Sequence, residues 1–196
     1  MNRNELKLDW INLPPNVVAE SLGLHDGHLL SISSDLLERT VMLEVDAFHI
    51  HRDFRPEKEH RFVIQLQKVQ SARATTWAVW PGEIPEFRGK PMAEQAILVE
   101  EYQAKWREES MCWGNFVAAF TSNVMDIDFA DVASNESATA LRVQGWLSGE
   151  EFDEQYVDVF VRAGQISIRR SNGTTITVEQ FIQLSEAHWQ ALNTDV

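Results

Sequence analysis

Apolar and polar residues alternate in two runs between residues 25 and 51, which is the pattern of half-buried β-strands. With a turn at Leu36-Leu37, Ile32 lies opposite Val41. One face of the resulting hairpin is mostly apolar and carries His28, Leu30, Ile32, Val41, Leu43, Val45, Ala47, His49 and His51. Because a shift of one residue would bury the polar set instead, the pattern predicts an antiparallel hairpin of this parity.

The same alternation predicts a series of further strands. They cover residues 61–69, 75–80, 111–120, 124–132, 139–147, 156–162, 165–170 and 174–177. Two dipeptides between these strands, Ala163-Gly164 and Asn172-Gly173, predict tight hairpins because glycine and asparagine tolerate positive φ.

Two segments have apolar residues at the three- and four-residue spacing of amphipathic helices. The first lies near 92–109 and follows Pro91, a residue that suits the first turn of a helix. The second lies near 178–192, where Thr177 and Gln180 form a capping box. Its predicted buried face consists of Phe181, Ile182, Ser185, Trp189 and Leu192.

The order of these elements predicts an α+β fold, with a mostly antiparallel β-sheet of hairpins and meander on which the two helices lie. Prolines and glycines are concentrated in residues 80–91 and mark a predicted boundary. They divide the chain into a hairpin-rich half, residues 1–90, and a second half, residues 91–196, with a helix, a β-meander and the C-terminal helix. A single continuous domain is the alternative.

The formal net charge of −13 argues against nucleic-acid binding, because proteins that bind phosphate backbones carry basic patches. An acidic surface fits a basic protein partner, or it simply keeps the protein in solution. No apolar run approaches the ~20 residues of a membrane span, and the first residues lack the apolar core of a signal peptide. The single cysteine, Cys112, excludes an internal disulfide framework and a cysteine-based zinc site, so a cytoplasmic protein is expected.

Five side chains of metal-binding type fall at the open end of the hairpin. They are His25, Asp26 and His28 at the start of the first strand, and His49 and His51 at the end of the second. Because these strand ends lie side by side in an antiparallel pair, the five groups converge and match the ligands of a catalytic zinc or iron site. Histidines at strand ends are more commonly exposed or bonded to the backbone, so the preferred interpretation is a structural or solvated role without a cofactor.

A second group of carboxylates lies on the predicted strand 124–132. Asp126 and Asp128 share one face of this strand, with Asp131 nearby, opposite the apolar residues Met125, Ile127 and Phe129. Paired carboxylates can bind a hard cation or perform acid–base chemistry. The simpler interpretation is the water-facing side of a half-buried strand.

Large aromatic residues accompany the proline-rich segment. Trp77, Trp80 and Phe87 lie in it or beside it. Aromatic side chains are enriched at interface hot spots, so these three are candidates for contact with a partner or with a second copy of the chain. Most large aromatics are core residues, which is the alternative for all three.

The residues SLGLHDGHLLSISSD, TVMLEVD and RFVIQLQKV, within residues 21–69, resemble the opening of small bacterial proteins grouped with the immunity proteins of polymorphic toxin systems. In that group a Leu-His-Asp element begins a hairpin, and a later strand has alternating apolar residues. The resemblance implies a cytoplasmic binding protein that blocks a toxin. It also implies that His25 and Asp26 are structural rather than catalytic.

Three functional hypotheses follow. The leading one is a non-catalytic protein-binding protein of the toxin-neutralising immunity type. The second is a metal-dependent, hydrolase-like enzyme that uses the histidine cluster. The third is a subunit that mainly self-associates through its aromatic loop.

The metal hypothesis predicts near-stoichiometric zinc, iron or manganese in untagged protein that has been dialysed without chelator. Elemental analysis measures this content directly. Replacing His49 and His51 together by alanine removes two of the predicted ligands and should release the metal. A protein without metal, whose melting temperature does not change when metal is added, would contradict the hypothesis.

Overall fold

The computed structural model describes residues 20–35, 37–47, 60–77, 107–111, 113–120, 123–134, 138–149 and 152–194. This part of the chain is a largely antiparallel β fold with two helices. The strands are β1 (Glu20–Ser21), β2 (His28–Asp35), β3 (Thr40–Asp46), β4 (Arg61–Gln67), β5 (Ser71–Trp77), β6 (Arg107–Met111), β7 (Asn123–Ser134), β8 (Thr139–Gly149), β9 (Phe152–Ala163), β10 (Gln165–Arg170) and β11 (Thr175–Ile176). The helices are α1 (Trp113–Ala119) and α2 (Val178–Thr194), and neither is long and apolar enough to cross a membrane.

All eleven strands form one sheet, in which ten follow the order β11-β10-β4-β3-β2-β7-β8-β9-β5-β6 and β1 pairs with β7. Only residues 68–70 separate β4 from β5, and only Gly164 separates β9 from β10. Because β4 pairs with β10 and β5 with β9, these two bent strands run side by side along their length. The pairing closes the sheet on itself.

The core lies inside this closed sheet. The predicted alternation in β4 is confirmed, since Phe62, Ile64 and Leu66 are all buried. The rings of Phe181 in α2 and Phe62 in β4 pack edge to face with 4.9 Å between their centroids, so α2 covers one end of the sheet. Helix α1 contacts the other end of the sheet, near the β2–β3 turn, and the ring of Phe116 on this helix is buried.

The predicted β2–β3 hairpin is confirmed, but its register differs. Asp35 pairs with Thr40, so the turn is longer than Leu36-Leu37 alone. A bulge between Leu29 and Ser31 shifts the parity of β2, so that Leu29 is buried while His28 lies on the outer face with 39% of its side chain exposed. The prediction that His28 and Leu30 point into the core was therefore wrong.

The helix predicted near 178–192 is confirmed, since α2 covers this segment. Helix α2 begins after a capping box in which Thr177 N–H donates to Gln180 Oε1 (2.9 Å) and Gln180 N–H donates to Thr177 Oγ1 (3.1 Å). Residues 111–120, predicted as a strand, contain α1, because Trp113, Phe116 and Phe120 recur at helical spacing and pack on the core.

The last three residues of the helix predicted near 92–109 form part of a strand instead. Residues 107–109 lie in β6, which pairs with β5 through Ser110 and Thr75. Residues 92–106 lie outside the described residues. The predicted boundary at residues 80–91 lies there too, and the sheet contains strands from both predicted halves.

One of the two predicted tight hairpins is present. Asn172-Gly173 joins β10 to β11, with Gly173 at φ 86° and the Thr174 N–H bonded to Asn172 Oδ1. The Ala163-Gly164 hairpin was wrong, since β9 and β10 form a single bent strand. Gly164 N–H donates to the Gln67 carbonyl, so the dipeptide lies at the bend where the sheet closes.

Strand β7 contains a bulge at Asp128. Ile127 pairs with Gly145 and Phe129 pairs with Gln144, which leaves Asp128 without a partner residue on β8. The bulge turns Phe129 to the outside, where 55% of it is exposed. The prediction that Phe129 shares a buried face with Met125 and Ile127 was therefore wrong in the case of Phe129.

The bulge requires glycine at position 145, because a Cβ there would lie 1.9 Å from the Asp126 carbonyl oxygen. Gly145→Ala should lower the free energy of unfolding by about 1–3 kcal/mol, the usual cost of overpacking. Urea denaturation measures the change. The matched control is Gly114→Ala in α1, where a Cβ meets nothing within 4 Å, and this variant should be as stable as the wild type or more stable. Equal stability of the two variants would contradict the conclusion that the bulge requires glycine at position 145.

Candidate functional site

The connection from β1 to β2 forms a tight turn against the bulge of β7. Gly27 N–H donates to the Leu24 carbonyl (2.8 Å), and Asp26 has φ 66°. Two backbone hydrogen bonds attach the turn to β7, from Asp26 N–H to the Ile127 carbonyl (3.1 Å) and from Ile127 N–H to the Gly27 carbonyl (2.8 Å). The His25-Asp26 pair is therefore held beside β7 by the backbone.

Two histidines of this region each bond to one aspartate. His25 Nδ1 lies 2.9 Å from Asp26 Oδ1, and both side chains are 58% exposed. His28 of β2 is directly opposite Asp126 of β7, and its Nε2 lies 3.1 Å from Asp126 Oδ1. Asp126 is 63% exposed, so its carboxylate is accessible from outside.

Asp128 is the inner carboxyl of the group. Burial raises its pKa above the ordinary value, the hydrogen bond donated by the Tyr156 hydroxyl and the charge of His25 lower it, and Asp126 and Asp26 raise it. The pKa of Tyr156 is raised mainly by burial and then by Asp128. Tyr156 therefore keeps its proton at neutral pH and acts as a hydrogen-bond donor rather than as a base.

Next to this group, an ion pair occupies the outer face of β8 and β9. Arg142 Nη2 lies 2.7 Å from Asp158 Oδ2, and Arg142 Nε also donates to the same carboxylate. Both side chains are largely buried, with 19% and 6% exposed. The pKa of Asp131 is raised by burial and lowered by Arg142.

Phe129 is the exposed apolar residue of this surface. It follows Asp128 in the bulge, and the turn at His25-Asp26 is bonded to Ile127, two residues before Phe129. We call the surface formed by His25, Asp26, His28, Asp126, Asp128 and Phe129 the bulge patch. An exposed aromatic ring beside several carboxylates suits contact with a cationic group, which can lie on the ring face and pair with the carboxylates.

The structure thus brings together three of the five predicted metal ligands, His25, Asp26 and His28, with Asp126 and Asp128 from the second predicted group. Within the described residues no group of three or more His, Cys, Asp or Glu side chains could hold a metal ion. His49 and His51 lie outside those residues, so the five-ligand site stays a prediction.

The aromatic-loop hypothesis also stays a prediction. Trp77 is the last residue of β5 and pairs with Tyr156, whereas Trp80 and Phe87 lie outside the described residues. Sequence reasoning missed Phe129 and Tyr156 as site residues. Gly145 in the middle of a predicted strand was the available signal, because such a glycine often marks a bulge.

Comparisons with protein-family models, curated proteins and solved structures give no match to this chain. The resemblance of residues 21–69 to immunity-type proteins stays a prediction. Within that range, the Leu-His-Asp element forms the turn that attaches β2 to β7.

Asp128 should make stability depend on pH. Because burial raises its folded pKa above 3.8, its contribution to stability is present below the unfolded pKa and is lost as the pH rises through the folded pKa. Asp128→Asn stays neutral, so its free energy of unfolding relative to the wild type should increase as the pH rises from about 3 to about 7. Denaturant titrations over this range measure the difference.

Tyr156→Phe is the companion variant, because it removes the hydrogen bond that lowers the pKa of Asp128. The carboxyl carbon of Asp128, followed by NMR, should then titrate at a higher pH than in the wild type. A difference between Asp128→Asn and the wild type that does not change with pH would contradict the prediction.

Proposed function

We propose that this chain is a non-catalytic, cytoplasmic protein-binding protein that recognises a basic protein partner through the bulge patch. The observation that carries the proposal is Phe129, a large aromatic residue that the β7 bulge leaves 55% exposed beside exposed carboxylates. A few residues supply most of the binding energy of a protein interface, and aromatic residues that a partner can bury are enriched at such positions. Bulges commonly re-aim side chains in this way at functional sites.

Charge supports a basic partner. The chain has a formal net charge of −13, and Asp26 and Asp126 in the patch are more than half exposed. Complementary charge raises the rate of association and selects against acidic partners. Arg142, the cation nearest to this surface on β8, is held by Asp158 and largely buried.

The polar groups of the patch are suited to recognition. Tyr156 retains its proton at neutral pH because burial raises its pKa, so it donates a hydrogen bond and holds Asp128 in place. His25 and His28 each bond to a separate carboxylate. These contacts orient the carboxylates of Asp26, Asp126 and Asp128 before a partner arrives, which lowers the entropy cost of binding.

The partner in this proposal is a basic toxin that cleaves nucleic acid, and the chain neutralises it by binding. The resemblance of residues 21–69 to immunity-type proteins supports this choice. The acidic charge of the chain supports it as well, because such a toxin must attract a phosphate backbone.

The test compares Phe129→Ser with the wild type in capturing partners from lysate of the source cells. The captured protein is then purified, and its affinity is measured by calorimetry. Loss of a central aromatic contact should weaken binding at least tenfold. The wild type should also inhibit the nuclease activity of the partner, and its affinity should fall as salt is raised.

The matched control is Leu37→Ser, because Leu37 is 94% exposed in the β2–β3 turn, at the other end of β2 from the patch. This variant should bind as the wild type does. A purified partner that binds both variants with wild-type affinity would overturn the bulge patch as its binding site. A partner that is chemically converted by this chain would overturn the non-catalytic role.

A further inference from the structure

We infer that a groove between the ends of β7 and β10 binds an extended segment of a partner protein as an added strand, and that this segment alternates basic and apolar residues. The groove, which we call the edge groove, has a volume of about 520 Å³ and is lined by residues of β1, β7, β10, β11 and the start of α2. It shares no residue with the bulge patch, so the inference goes beyond the proposed function and does not depend on it.

Two strands have unpaired edges in this groove. Strand β10 pairs with β4 along its whole length, but on its other side β11 pairs with it only at residues 168–169. Residues 166–167 line the groove and have no partner on that side among the described strands. Ser134 at the end of β7 is in the same position, because β1 pairs only with residues 131–132. Unpaired strand edges present N–H and C=O groups that can bond to a further strand.

The edge groove also offers apolar contacts to an added strand. Ile166, Ile176 and Val178 line it, and each is partly buried and packs against the core. The core therefore holds these side chains in place while part of their surface is open to a ligand. Because successive side chains of a strand point to opposite faces, every second residue of an added strand would meet this apolar surface.

Charge favours basic residues at the other positions. Glu20 of β1 and Glu179 in the first turn of α2 line the groove, and both are exposed. None of the described residues that line the groove is basic. The formal net charge of −13 acts in the same direction, since complementary charge speeds association and selects the partner. In recognition by strand addition, the backbone bonds supply affinity and the side chains supply specificity.

The start of α2 does not turn the edge groove into an anion site. The hydroxyl of Thr177 and the backbone N–H of Glu179 both bond to the Glu179 carboxylate and lower its pKa, so this group is ionised at neutral pH. The N–H of Gln180 is bonded to Thr177 in the capping box. The positive end of the helix dipole is therefore already compensated by a carboxylate of the protein itself.

The test uses a short capped peptide of alternating lysine and valine with the full-length protein. Binding is followed at low salt by NMR shifts of the backbone amides of residues 131–134, 166–167 and 175–179. The peptide should shift these signals, whereas a version with glutamate in place of lysine should not. A version with serine in place of valine, and one methylated at every backbone nitrogen, should each bind on the order of fivefold more weakly or worse, because they lose apolar contacts and strand hydrogen bonds respectively.

Glu20→Gln tests the charge of the groove on the protein side. The variant removes an exposed carboxylate and should weaken the lysine–valine peptide about twofold to fivefold, as expected for one exposed ion pair. The matched control is Glu38→Gln, which makes the same change in net charge at an exposed residue of the β2–β3 turn and should bind as the wild type does. Both side chains are exposed, so both variants should keep the wild-type melting temperature.

Several outcomes would overturn the inference. They are equal binding of the lysine and glutamate peptides, undiminished binding of the methylated peptide, equal losses in Glu20→Gln and Glu38→Gln, and no shift at millimolar peptide. Shifts of the same amides when the protein alone is diluted would show a second copy in the groove and would overturn it as well.

Phe129→Ser separates this inference from the proposed function. Phe129 is not among the residues that line the edge groove, so this variant should bind the lysine–valine peptide as the wild type does. A peptide that fails to bind the groove overturns the inference and leaves the dependence of a captured partner on Phe129 unaffected. A peptide that binds as expected supports the inference even if no captured partner depends on Phe129.

Discussion

The shared bend of two paired strands is the constraint on which the rest of the structure depends. Strand β4 continues into β5 and β9 continues into β10, and the two bends lie side by side. Lys68 has φ 55° at the first bend, which costs about 1 kcal/mol or more for a residue with a side chain. The bend is stabilised by Arg39, whose guanidinium donates twice to the Val69 carbonyl and so ties the β2–β3 turn to it.

The candidate site lies where two irregular parts of the backbone meet. Strand β7 pairs with β8 along its whole length, and the bulge at Asp128 is accommodated only because Gly145 leaves room for the Asp126 carbonyl. The segment beside it, the turn from Leu24 to Gly27, also departs from regular strand pairing and is bonded to Ile127 next to the bulge. The irregular positions of β7 and of the β1–β2 connection thus coincide, and their side chains form an accessible surface.

Local patterns predicted the parts of the fold that depend on adjacent residues. The alternation in β4 identified Phe62, Ile64 and Leu66 as buried, and the Asn172-Gly173 turn and the cap of α2 were correctly identified because each is decided within a few residues. Residues 113–119 were predicted incorrectly, because a short apolar segment satisfies both the strand and the helix pattern. A dipeptide that suits a hairpin, Ala163-Gly164, suits a strand bend equally well.

By itself, the sequence determined the acidic character of this protein, its antiparallel strands, its C-terminal helix and the grouping of His25, Asp26 and His28 at the start of a strand. Only the tertiary structure decided that His28 faces Asp126 and that Phe129 is exposed. Alternation specifies which side chains share a face of one strand, but a single bulge reverses that assignment, as at Leu30 and Asp128. The choice of neighbouring strand depends on burial across the whole sheet, which no short segment of the sequence contains.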